Sequence, residues 1–265
     1  MRIRAIAATA TATAAALGAV LAVTAVAGPA AGADRDDSGT TFWNIDVNHD
    51  RDYTVGVEAA RKRVFSVSAT VSDPSGVRSV SYELWHGTDR ANADGVMAAD
   101  AHCVKINETT SFCEALVTAD PNVNLRSNAL AGVWTISPVA TDGAGDVTRG
   151  EGAYLARVKR QTSMSQTVAT PQPVKKGKEL VVKARMTVAS WETRKNVPLI
   201  GHQVVLQYRK GTSGPFVTVK KVKTDRNGWA TATVKATADG AYRYDFAGTS
   251  LTQGTTGSAD FVDVR

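Results

Sequence analysis

Strict alternation of side-chain character constrains this chain most. In "VFSVSATV" (64–71), Phe65, Val67, Ala69 and Val71 stand against Val64, Ser66, Ser68 and Thr70. That two-residue period belongs to a strand with one face buried. The same pattern runs through "VSYELW", "GVWTISPVATD" and "YLARVK", and again through "ELVVKARMTVAS", "HQVVLQYRK", "FVTVKKVKT", "WATATVKAT" and "AYRYDFAG". Between these runs lie "SDPSG", "DGAGD", "GTSGP", "DRNG" and "ADG", which carry the Gly, Pro, Asn and Asp that tight turns use. No stretch has the spacing of a long amphipathic helix. "DPNVNLRSNALAG" (120–132) comes nearest, as one helical turn crossing between sheets.

Short strands at this spacing predict an all-β protein of two immunoglobulin-like β-sandwich domains in tandem. The expected boundaries are residues 34–160 and 161–265, joined at "RVKRQTS". Trp85, Trp134, Tyr242, Tyr244 and Phe246 alternate with polar neighbours and read as core. Trp43, Trp191 and Trp229 fall near strand ends, where they are either exposed or packed in the core or at the strand ends.

Residues 1–33 read as a secretory leader. Arg2 and Arg4 open it, an Ala/Val/Leu-rich run follows, and "AGA" at 31–33 offers the cleavage site. The run is too rich in Ala and Thr for a membrane span, and the remaining 232 residues contain no other candidate. "SADFVDVR" is neither an apolar anchor nor a sorting signal, so a secreted, extracellular protein is expected.

Charge divides along the chain. Residues 34–161 carry 13 Lys+Arg against 18 Asp+Glu, whereas residues 162–265 carry 16 against 7. The second half is therefore basic, which supports two units with different surfaces and says nothing about fold.

The segments "DPSGVRSVSYELWHG", "ALAGVWTI", "PQPVKKGKELVVKARMTVASWE" and "DGAYRYDFAGTS" resemble a group of secreted actinobacterial proteins of unknown function with two bacterial Ig-like domains. The resemblance covers everything after residue 33. It implies the tandem sandwich fold, and some members of the group are labelled calcium-binding.

Calcium is the one cofactor the residues suggest. "DVNHDRD" places Asp46, Asn48, Asp50 and Asp52 at alternate positions, as a calcium loop begins. An EF-hand is excluded, because Arg51 stands where Gly is needed and Val57 where a bidentate Glu is needed. A looser oxygen site is one alternative, and a strand-connecting loop with Asx turns is the other. Asp73, Asp142 and Asp146 lie in the B–C and F–G turns of an Ig-like order. They converge at one end of the sandwich either as a cation site or simply as turn residues.

Cys103 and Cys113 are separated by nine residues, an odd number, so a hairpin between them sets the two directly opposite. A structural disulfide is expected. His49, His86, His102 and His202 are scattered and no nucleophile elbow or phosphate loop occurs, so the sequence predicts no enzyme.

Lys183, Arg185, Lys221, Lys223 and Lys235 each alternate with inward-facing neighbours. If their strands are B, D and E of one sheet, the five cations form a single basic patch, which is either a solvated face that keeps the protein soluble or an attachment surface. The reading is then a secreted non-enzymatic binding or structural module of the cell-envelope space. Its candidate partner is an anionic cell-wall polymer, and nucleic acid is not expected. The alternative is a calcium-binding Ig-like protein whose first domain the ion stabilises.

Overall fold

Ten strands make the first sandwich: β1 (Thr41–Val47), β2 (Tyr53–Val55), β3 (Arg63–Ser72), β4 (Val77–His86), β5 (Gly95–Asp100), β6 (His102–Lys105), β7 (Thr110–Ala119), β8 (Gly132–Asp142), β9 (Val147–Arg149) and β10 (Tyr154–Arg160). They are drawn from a computed structural model that describes residues 39–57, 63–152 and 154–265. The expected leader, residues 1–33, lies outside the described residues.

One sheet has the order β1-β3-β7-β6 and the other β2-β10-β8-β4-β5, with β9 on β8. In immunoglobulin terms these are A-B-E-D and A′-G-F-C-C′. The first strand is split between the sheets, and its second half, β2, pairs in parallel with β10. The alternation read in "VFSVSATV" is realised on its inward face, while Ser68 and Thr70 of the outward face are also covered, at 8% exposure each. Phe65, Val67, Ala69 and Val71 are buried and meet Tyr82, Leu84, Trp134 and Ile136 of the facing sheet. Tyr82 spans the two layers, its hydroxyl donating to the Cys113 carbonyl at 2.8 Å. "DPNVNLRSNALAG" carries the chain from β7 to β8 through a 3₁₀ turn at Asn128–Leu130.

The second sandwich follows with β11 (Thr162–Met164), β12 (Val168–Thr170), β13 (Glu179–Ser190), β14 (Lys195–Pro198), β15 (Gln203–Lys210), β16 (Val217–Lys223), β17 (Trp229–Lys235), β18 (Gly240–Phe246), β19 (Thr255–Thr256) and β20 (Asp260–Val262). Strands β11 and β12 share one edge of β13, and β17 takes the other along the half that faces β12. The facing sheet runs β16-β15-β18, with β19 and β20 on β18. This is an A-B-E sheet opposed to C′-C-F-G. Its core is built from Leu180, Val182, Ala184 and Met186 against Leu206, Tyr242, Tyr244 and Phe246.

The join is tighter than "RVKRQTS" suggests. Gln161 alone separates β10 from β11. From the β13–β14 turn, Trp191 enters the core of the first sandwich at 1% exposure. Its indole N–H donates to the Val55 carbonyl at 3.2 Å. Asn128 accepts from the Trp191 amide at 2.9 Å, and Arg160 donates its Nε–H to the Ala189 carbonyl at 2.6 Å. Burial pulls the Arg160 guanidinium below its usual pKa, and the charge of Glu192 opposes that shift.

One aromatic reading is corrected. Trp85 faces outward, because its neighbours Tyr82 and Leu84 fix the inward positions of β4. Its Nε–H lies 3.3 Å from the Ser137 hydroxyl on the outer face. Of the three strand-end tryptophans, Trp191 is core, whereas Trp43 and Trp229 are exposed.

Candidate functional site

The "DVNHDRD" stretch turns the chain from one sheet to the other. Asn48, His49 and Asp50 all adopt left-handed backbone, with φ of 51°, 55° and 58°. The carboxylate of Asp46 caps this turn, accepting from the Asp50 amide at 3.3 Å and approaching His49 Nδ1 at 3.2 Å. Asn48 donates its side-chain amide to the Arg51 carbonyl, and Asp52 pairs with Lys159 at 2.6 Å. Side-chain oxygens of Asp46 and Asp52 thus have turn or ion-pair partners.

Asp73, Asp142 and Asp146 lie at the far end of the β1–β3 pair from this loop, since Thr41 opposes Ser72 and Val47 opposes Val67. The two turns do gather, as expected. The Gly143 amide donates to the Gly76 carbonyl at 2.8 Å and the Ala144 amide to the Ser75 hydroxyl at 3.3 Å. Gly143 is required by closeness rather than by positive φ, because a Cβ there would strike the Ser75 carbonyl.

The carboxylates, however, are engaged in their own turns. Asp73 accepts from the Ser75 amide and hydroxyl at 2.8 and 2.7 Å and from Thr40 at 2.8 Å. Desolvation pushes its pKa up, but these hydrogen bonds outweigh it and hold the carboxyl below its ordinary range. Asp142 Oδ1 accepts from the Gly145 and Asp146 amides at 2.7 and 2.8 Å. Among the described residues, no group of three or more His, Cys, Asp or Glu side chains converges on a point that would hold a metal ion.

Cys103 and Cys113 are directly opposed across β6 and β7, 4.0 Å apart at Cα, and form the disulfide. Cys113 is buried in the core, so the bridge pins an edge strand from inside.

The five cations do not form one patch. Lys183 and Arg185 of β13 and Lys235 of β17 share one outer face, but Lys221 and Lys223 belong to β16, which pairs with β15 on the opposite sheet. Alternation tells which way a side chain points, and it cannot tell which sheet a strand joins. Lys235 also stands across from Glu179 in the register.

Separated from the other three, Lys221 and Lys223 share a face with two cations that alternation had not singled out, Arg209 and Arg243. Buried Tyr242 and Tyr244 turn Arg243 outward, and that signal was present in "AYRYDF". Phe216, at the end of the β15–β16 turn, brings the two arginines together. The Arg243 guanidinium lies 3.8 Å and that of Arg209 4.7 Å from its ring centroid. Gln207 Oε1 accepts from Arg243 Nε at 2.8 Å, and among the described residues the buried Arg209 Nε has no hydrogen-bond partner. Among the described residues neither arginine forms a salt bridge. Asp245, on the same face, is held by Thr256 at 2.5 Å.

On the other face, a groove of about 450 Å³ is lined by Val168, Thr170, Val181, Lys183 and Trp229. The "DRNG" turn positions Trp229. Asp225 Oδ1 accepts from the Asn227 and Trp229 amides at 2.8 Å each, and Gly228 takes φ +79°. Arg185 is clipped to the same turn through the Asn227 carbonyl at 3.1 Å.

No protein-family profile matches the chain, and no curated protein matches it. Among solved structures, it is similar to fibronectin(III)-like modules of Clostridium thermocellum CbhA at 12% identity and a TM-score of 0.33, covering 83% of this chain and 92% of that one. The D00–D0 domain of intimin matches at 13% identity and a TM-score of 0.26, over 82% and 98%. Latent PorU from Porphyromonas gingivalis matches at 14% and 0.29, over 86% of this chain; the present chain spans a fifth of PorU's length. The immunoglobulin-like assignment rests on the strand order and register described above. No described helix is long and apolar enough to cross a membrane.

Proposed function

We propose that this chain is a secreted, non-enzymatic binding module that attaches to an anionic polymer of the extracellular or cell-envelope space through its second sandwich. The observation that carries this reading is the Arg209–Phe216–Arg243 arrangement. Two guanidinium groups are held over one ring, Lys221 and Lys223 lie further along the same outer face, and among the described residues neither arginine has an ion-pair partner. Guanidinium groups suit carboxylate and phosphate oxygens because their donors are planar and paired. Stacking on the ring fixes them in advance, which lowers the entropy lost on binding. The first sandwich, pinned by its disulfide and joined through Trp191, would hold this face at a fixed orientation.

The test is retention of the full secreted chain on immobilised polyphosphate across a salt gradient. Attachment of this kind weakens steadily as salt rises, since the Debye length is already about 10 Å at 0.1 M. Retention that is absent at low salt, or indifferent to salt, would refute it.

A further inference from the structure

We infer that the groove on the outer face of β12, β13 and β17 is a second site, one that takes an anionic polysaccharide whose carboxylates are carried on its sugar rings. It lies on the sheet opposite Arg209 and Arg243, so its success or failure is separate from theirs.

The groove combines three properties. Trp229 is 40% exposed and Val168 52% exposed, so a large aromatic face and an aliphatic wall stand open on a sheet surface. Lys183 lines the same groove, and Arg185 lies directly across from Trp229 in the register. Among the described residues no carboxylate lines it; Glu179, further along the face, is opposite Lys235. An occupant must therefore present an apolar surface and a negative charge within a few ångströms of each other.

A peptide fits this poorly. Both edges of β13 are already paired, to β12 and β17, so a chain laid across the face finds no main-chain partners for its own N–H and C=O groups. A uronic-acid ring has what the groove lacks. Its C–H face stacks on indole, its carboxylate meets Lys183 or Arg185, and its hydroxyls reach those of Thr170 and Thr231, which share the outer face. Desolvation beside Trp229 strengthens the ionic contact relative to one in open water.

The experiment measures affinity of the full chain for calcium-free oligogalacturonate and, in parallel, retention on polyphosphate, which is anionic but has no sugar rings. Trp229→Ala removes the stacking face, and Val168→Glu leaves Trp229 in place and adds a negative charge to the groove. Melting temperature is recorded for both. Each substitution should weaken oligogalacturonate binding at least tenfold, leave melting unchanged and leave polyphosphate retention as in the wild type. The inference is overturned if both variants bind oligogalacturonate like the wild type. It also falls if the wild type is retained on polyphosphate but ignores oligogalacturonate, or if Trp229→Ala weakens both polymers equally, because charge alone would then explain them. A wild type that binds neither polymer would remove this site and the proposed function together.

Discussion

Trp191 belongs by sequence to the second sandwich and by packing to the first, where its indole N–H donates to the Val55 carbonyl. The same carbonyl accepts the Gln161 amide at 3.0 Å, so one backbone oxygen ties the connecting residue and the inserted hairpin together. The two sandwiches therefore share part of one core.

Cutting Trp191 to Ala should cost about 3–5 kcal/mol, the range for large aromatic truncations in a core. The wild type should unfold in one transition by both fluorescence and calorimetry. The variant should show two, as the sandwiches uncouple. Two well-separated transitions in the wild type would contradict the shared core.

Removing the disulfide by Cys103→Ser should lower the stability of the first sandwich by on the order of 2.5–3 kcal/mol, the loop-closure contribution of so small a ring. Mass spectrometry of the protein under non-reducing conditions should find no free thiol, and finding two would rule the bridge out.

Much of this was legible in the sequence. Strand faces followed from alternation, because a two-residue period reports burial directly. The disulfide followed because an odd separation across a hairpin sets two residues opposite each other. What could not be read was decided by long-range pairing. "VKKVKT" shows that Val222 points inward, yet nothing local says that β16 joins β15 rather than β17. Nor does "SWETRKN" indicate that its Trp completes another sandwich's core. The Arg209–Arg243 pair stayed hidden for the same reason: its members lie 34 residues apart in sequence, and only the β15–β18 pairing makes them neighbours.

Calcium separates the turn reading from the ion reading. With Asp73 and Asp142 accepting hydrogen bonds within their own turns, millimolar calcium or excess chelator should leave the melting curve unchanged. A rise in melting temperature that scales with calcium would contradict the turn reading and restore Asp46, Asn48, Asp50, Asp52, Asp73, Asp142 and Asp146 as ligand candidates.

Asp73 also gives a pH signature. Its carboxyl is held below the ordinary value of about 3.9 by Ser75 and Thr40 against the opposing effect of desolvation. A depressed folded-state pKa contributes stability above the unfolded value, and that contribution is lost as pH falls through the folded value. Asp73→Asn should be less stable than the wild type at neutral pH, with the gap narrowing below about pH 4. A gap that stays constant from neutral to acid pH would show that the charge of Asp73 contributes nothing.

The most direct test of polymer attachment compares two double charge reversals in the full chain at equal net charge. Arg209→Glu with Arg243→Glu alters the face built around Phe216, and Arg51→Glu with Arg78→Glu alters exposed positions of the first sandwich. On immobilised polyphosphate at low salt, the first pair should abolish retention, while the second should leave elution close to that of the wild type. Equal loss from both pairs would mean that net charge alone governs binding, and would contradict a dedicated site on the second sandwich.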